Sequence, residues 1–162
     1  MSQPYEEILQ GRKFTRPAPV ERHEVICARL HALIKASTAN LASARLLEPR
    51  SRVQISHDNF FCPDLAIVTA ATGKLWLAAE VIGREDHRVD TVTKKELYEH
   101  AKLPRLWMVD PRYDNVEIYH ATQHGLVLQG ILAGQEALTE KLLPEFTLTI
   151  AALFAEQTPA AP

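Results

Sequence analysis

Apolar positions recur at two periods along this chain, and the changes of period mark its elements. After Pro17 and Pro19, the segment Val20–Ala36 carries Ile26, Leu30, Leu33 and Ile34 at helical spacing, which predicts a helix with one apolar face. Arg45–Ser56 reads as extended. Pro63 opens a short strand, Asp64–Thr69, and Thr72-Gly73 turns the chain into a second strand, Lys74–Ile82. A second helix is predicted from about Asp90 to Lys102, with Val89, Leu97 and Ala101 apolar and Pro104 at its end. Leu106–Val109 follows as a buried strand. Val116–Tyr119 and Gly125–Leu132 read as antiparallel strands turned at His124-Gly125, and Ile150–Glu156 as a last short helix. This order predicts an α/β fold, a central mixed sheet with helices packed on it, and excludes a β-sandwich or a bundle. Residues 1–156 read as one domain, and the Ala/Pro-rich residues 157–162 as a disordered tail.

Composition narrows the setting. At 162 residues, folding buries roughly 70% of the surface that the unfolded chain exposes, so neither a disulfide nor a metal is needed for stability. Cys27 and Cys62 cannot form a disulfide framework, and the first residues lack the basic start and apolar core of a signal peptide; a reducing cytoplasm is the expectation. The longest apolar run, Leu75–Ile82, contains Glu80 and falls far short of the ~20 residues of a membrane helix. A formal charge of −2 gives no global basic footprint for nucleic acid. Local basic groups occur at Arg12, Lys13, Arg16 and Arg22, and at Arg45, Arg50 and Arg52, where solvated surface charge is the simpler reading.

Glu80 is the most informative residue. In Leu75-Trp76-Leu77-Ala78-Ala79-Glu80-Val81-Ile82 the period of two puts apolar neighbours on both faces, so the carboxylate is either paired, led to solvent at the strand end, or bound to a metal. Asp64 follows Pro63 at the mouth of the preceding strand, and a hairpin would bring the two carboxylates together as a hard oxygen site of the kind Mg²⁺ prefers. Pro-Asp is also an ordinary turn pair. Asp90, Lys94 and Tyr98, four residues apart, share one helix face, which suits a surface ion pair of about 0.2–0.5 kcal/mol or a lysine aimed at the carboxylates. Lys95 faces away and should be solvated. His23, Cys27 and His31 also stand four apart and, with Cys62, outline a zinc site, although structural zinc usually takes closely spaced ligand pairs from loops and Cys27 reads more simply as core. The absence of Gly-x-Ser-x-Gly and Gly-x-x-x-x-Gly-Lys excludes the serine-hydrolase elbow and the phosphate loop.

In order along the chain, Tyr5-Glu6-Glu7-Ile8, Gly11, His23, Pro63-Asp64-Leu65, Ala79-Glu80-Val81-Ile82, Asp90, Lys94 and Tyr98 resemble the Uma2 family of the PD-(D/E)xK nuclease superfamily. Leu106-Trp107-Met108-Val109-Asp110-Pro111 resembles its Trp-x-Val-Asp-Pro strand, and Leu143-Pro144-Glu145-Phe146 with Leu153-Phe154 its C-terminal ending. The resemblance implies a restriction-endonuclease-like core and an endonuclease acting on DNA with Mg²⁺, or Mn²⁺ in its place. It implies Asp64 and Glu80 as metal ligands, Lys94 as the third catalytic residue, His23, Asp90 and Tyr98 in support, and a homodimer. Ile82 stands where the superfamily's lysine is expected, and Lys94 on the following helix matches its relocated position. Gly83-Arg84-Glu85-Asp86 departs from the family's usual Ser-Pro-Ser-Thr, which suits either an altered site or a catalytically silent module binding nucleic acid or protein.

Overall fold

The computed structural model describes residues 2–85 and 87–156, so Asp86 and the predicted tail lie outside the described residues. The chain opens with two strands, β1 (Tyr5–Leu9) and β2 (Arg12–Arg16), joined at Gln10-Gly11, where both residues have positive φ. Gly11 accepts that conformation at no steric cost, and a two-residue connection of this hand matches the twist of the strands. Helix α1 (Glu21–Thr38) follows, then β3 (Ala44–Leu46), β4 (Val53–Ser56), β5 (Asn59–Phe61), β6 (Leu65–Thr69) and β7 (Leu75–Val81). A π-helical turn, Val89–Lys94, runs into α2 (Lys95–His100). The rest is β8 (Arg105–Asp110), β9 (Asn115–Thr122), β10 (Gly125–Ala133), β11 (Ala137–Glu140), β12 (Leu143–Thr149) and α3 (Ile150–Phe154).

The central sheet is mixed, in the order β10-β9-β8-β7-β6-β3, and its one parallel pair is β7–β8. A parallel pair needs a crossover, and here the π turn and α2 supply it. Alternation along the strands feeds two cores. Leu77, Ala79, Val81, Trp107 and Val109 pack beneath α1, α3 and β12, while Ala78, Ile82, Leu106, Met108 and Tyr119 pack with Leu97 and Tyr98 of α2 and with Leu9 and Phe61. Those last two belong to a four-stranded sheet, β2-β1-β5-β4, that closes the second face. Among the described residues, no helix is long and apolar enough to cross a membrane.

Several expected bounds change for physical reasons. Arg45–Ser56 is not one extended segment but two strands in different sheets, separated by a bend at Arg50. The apolar face of α1 excludes Leu33, which is 39% exposed, and includes His23 and Cys27 instead, because that face meets a polar site as well as the core.

Candidate active site

The β6–β7 ladder pairs Leu65 with Ala79, so one step farther it sets Asp64 beside Glu80. Both carboxylates are almost wholly buried. Asp64 is held by three donors: the Val81 amide at 2.8 Å on Oδ2, and His23 Nε2 at 2.8 Å and Arg50 at 3.1 Å on Oδ1. Burial alone would raise its pKa, but these donors and the charges of His23 and Lys94 outweigh it and keep the group ionised below the usual range. The same pairing raises the His23 pKa against the opposing effect of burial.

Glu80 experiences the opposite balance. Desolvation dominates, the Asp90, Glu7 and Asp64 charges add to it, and the Lys94 ammonium offsets only part, so its pKa rises to about 7. Glu80 Oε1 receives the Tyr98 hydroxyl at 2.6 Å and the Lys94 ammonium at 2.7 Å.

Lys94 is fully buried at the end of the π turn. It also donates to Glu7 at 2.8 Å, lies 3.9 Å from Asp90, and sits 5.2 Å from the centroid of Phe61. Burial would discharge the amine, yet Glu80, Glu7 and Asp90 together raise its pKa and keep it charged. The helix phase read from the sequence is therefore the observed one: Asp90, Lys94 and Tyr98 all turn inward. The Asp90–Lys94 pair is thus a buried one and not a surface one, and Asp90 Oδ1 also accepts from Arg16 at 2.9 Å. Lys95 is half-buried rather than solvated, with its ammonium 4.5 Å from the Tyr119 ring centroid.

Three contributors escaped the sequence reading. Glu7 on β1 is buried and accepts from Lys94, from Arg16 at 3.0 Å and from the Cys62 amide at 2.8 Å. Arg16 on β2 links Glu7 to Asp90. Arg50, with its backbone at φ 56°, bridges Asp64 and Glu24. Glu7 carried a usable signal: it shares a strand face with the buried Leu9, the same pattern that singled out Glu80.

The α1 stripe converges on Asp64. His23 meets its carboxylate, and His31 lies 2.8 Å from its backbone carbonyl. Ligand atoms of His23, Cys27 and Asp64 all lie within 4.8 Å of one another. Cys62 is not part of that group; it sits beside β1, its thiol 3.6 Å from the Glu6 carbonyl. Two cavities, of about 350 and 360 Å³, open at His23 and share Gly83 and Arg84; Arg22 and Arg112 line the second. The described residues of the departing loop thus line cavities that reach the site at His23 and, in the first, Arg16.

The arrangement fits a hard divalent cation. Asp64 and Glu80 are oxygen donors at paired positions of adjacent strands.

A profile of the Uma2 family, described as "Putative restriction endonuclease", matches residues 2–151. No curated protein sequence matches. A crystal structure of a "putative nuclease belonging to DUF820" from Anabaena variabilis superposes with a TM-score of 0.78 at 17% identity, covering 95% of this chain and 92% of that one, a likeness of fold.

Proposed function

Since this chain belongs to the Uma2 family, we propose that it is a Mg²⁺-dependent endonuclease hydrolysing phosphodiester bonds in DNA at the Asp64, Glu80 and Lys94 site. The observation that carries the reading is the buried Lys94 ammonium, delivered by the element after β7 to 2.7 Å from Glu80. It stands in for the strand lysine that Ile82 replaces. Asp64 and Glu80 would hold Mg²⁺, or Mn²⁺ in its place, and the bound ion would supply Lewis acidity to a phosphoryl oxygen and acidify the attacking water.

The remaining work falls to the chain's own groups. An ammonium has three donors, and two of those on Lys94 serve Glu80 and Glu7, which leaves one to orient water and offset charge developing at phosphorus. Tyr98 fixes the Glu80 carboxylate, while the Val81 amide and His23 fix that of Asp64. Glu7 and Asp90 position Lys94 and, with Glu80, keep it charged, while Arg16 holds Glu7 and Asp90 in place. Arg22, Arg84 and Arg112, which line the second cavity, suit the backbone phosphates of DNA.

The test is incubation of supercoiled plasmid and single-stranded DNA with Mg²⁺ or Mn²⁺, beside Glu80→Ala. Cleavage by the wild type and its loss in the variant are expected; cleavage that persists in Glu80→Ala excludes this site. A second reading, a silent module that binds nucleic acid or protein, is favoured by the fact that Lys94 and Arg50 already neutralise much of the acidic pair. Intact DNA under both ions, with binding retained, would select it. Cleavage of both duplex strands calls for a homodimer, which sedimentation at high micromolar concentration checks.

A further inference from the structure

The phosphodiester chemistry leaves one part of this region unused. Cys27 stands one turn after His23 on α1, so both project toward the same carboxylate, and all three residues are buried. We propose that His23 Nε2, Cys27 Sγ and a carboxylate oxygen of Asp64 form a second, sulfur-containing metal site that takes Zn²⁺, and that filling it withdraws Asp64 from the nuclease site. The regulatory half rests on the proposed nuclease activity; the binding half does not.

Donor chemistry separates the two sites. Asp64 with Glu80 offers only oxygen, which suits Mg²⁺, whereas thiolate plus imidazole selects a borderline-soft ion such as Zn²⁺. Zinc bonds of about 2.0–2.1 Å to nitrogen and 2.3 Å to sulfur require the three ligand atoms to close by up to about 1 Å from their present limit of 4.8 Å. His23 Nε2 and Asp64 Oδ1, now hydrogen-bonded at 2.8 Å, open by about 0.5 Å as the ion replaces the proton between them. Side-chain rotation on one helix face accommodates the rest.

Charge also closes. A thiolate and a carboxylate neutralise Zn²⁺, and Arg50, displaced from Asp64, keeps both of its hydrogen bonds to Glu24, at 2.7 and 2.9 Å. Coordination releases the thiol proton of Cys27. The lone pair of His23 Nε2 becomes the donor, so the hydrogen it now directs at Asp64 moves to Nδ1 or leaves. His23 lines both cavities, which gives the ion a path and leaves a fourth position for solvent.

Titration of the full chain with Co²⁺ in excess Mg²⁺ reads the site without any nuclease assay, because a cysteine ligand produces thiolate-to-cobalt charge-transfer absorption. Zn²⁺ should bleach that absorption. Cys27→Ser should abolish it and weaken calorimetric Zn²⁺ affinity by roughly tenfold or more, while Cys62→Ser behaves as wild type. Should the serine hydroxyl disturb the core by circular dichroism, Cys27→Ala makes the same comparison. Absence of the band, or its loss in Cys62→Ser instead, overturns the site. In the cleavage assay, Zn²⁺ should inhibit the wild type and spare Cys27→Ser; inhibition equal in both overturns the regulatory half. If Mg²⁺ drives no cleavage in either protein, the nuclease reading and with it the regulatory half fail, while the cobalt band still decides the metal site.

Discussion

Lys94 holds a charge in the protein interior because Glu80, Glu7 and Asp90 flank it, and that dependence makes substitutions at Glu80 and Lys94 unequal. Glu80→Gln removes one carboxylate but leaves the ammonium paired with Glu7, so in chelator it should cost less than about 1 kcal/mol or stabilise slightly. Lys94→Met instead strands Glu7 and Glu80 without their shared cation, and a loss of about 3–5 kcal/mol is expected in urea unfolding. Comparable losses in both variants would contradict this division of charge. A pH dependence follows from the same residues. Glu80 has a folded pKa of about 7 against an ordinary 4.5, so between those values the native state keeps a proton that the unfolded chain has released. Its contribution to stability must therefore fall as pH rises through that window and level off above it, by roughly 3 kcal/mol in all. Subtracting the Glu80→Gln profile from that of wild type isolates the fall; a difference that rises with pH would reverse the assignment. At this scale the sequence was most legible where polarity broke a pattern. Glu80 stood out in an apolar strand and Lys94 fell at the right helical phase, but Arg50 and Arg16 reach the site from loops and edges that no local period marks.

Elements were legible to the extent that their apolar period was uninterrupted. α1, β6, β7 and β8 lie close to their expected bounds because the three strands are buried along nearly their whole length and α1 repeats Ile26, Leu30 and Ile34 on its buried face. The β1–β2 hairpin was not predicted, because its inward positions Glu7 and Arg16 are charged and the rest of β2 is exposed, so the segment imitates exposed chain; the Gln10-Gly11 turn was its local marker. β11 and β12 were missed for a related reason, each alternating single buried residues with exposed ones over a short span. The segment expected to be helical from Asp90 begins as a π turn. Such a turn carries one residue more than an α-turn and recurs at functional sites. Deleting Val92, which is 42% exposed, should let the segment close as α-helix and swing Asp90 or Lys94 out of the site. The expected outcome is a chain that still unfolds cooperatively but no longer gains melting temperature with millimolar Mg²⁺, a gain that wild type should show as RT ln(1 + [L]/Kd). A Mg²⁺ response equal to wild type would show that the wide turn has no part in placing Lys94.

For the whole molecule, the mixed sheet and its helices followed from element order, but the second sheet that encloses Lys94 did not, since its strands pair β1 with β5 across some fifty residues of chain. Long-range pairing of that kind leaves no local trace. The net charge of −2 likewise hides how charge is distributed. A duplex approaching this protein meets no overall attraction, so binding must draw on the few arginines at the cavity mouth, Arg22, Arg84 and Arg112. Two of these already share their charge, Arg22 with Asp114 at 2.7 Å and Arg112 with Asp110 at 2.8 Å, whereas Arg84 is exposed. Counterion release gives log K against log[salt] a slope of about −0.9 for each phosphate neutralised. With at most three such contacts the slope should be no steeper than about −3, far shallower than that of a dedicated basic DNA-binding domain. Arg84→Ala should flatten it by about 1, and Arg22→Ala or Arg112→Ala by less, because aspartate already screens them. Fluorescence anisotropy with labelled duplex, in the Glu80→Gln background so that the DNA stays intact, measures these slopes across a salt series. A slope near zero, or one that Arg84→Ala leaves unchanged, would place the nucleic acid elsewhere on the surface or leave a protein partner as the better candidate.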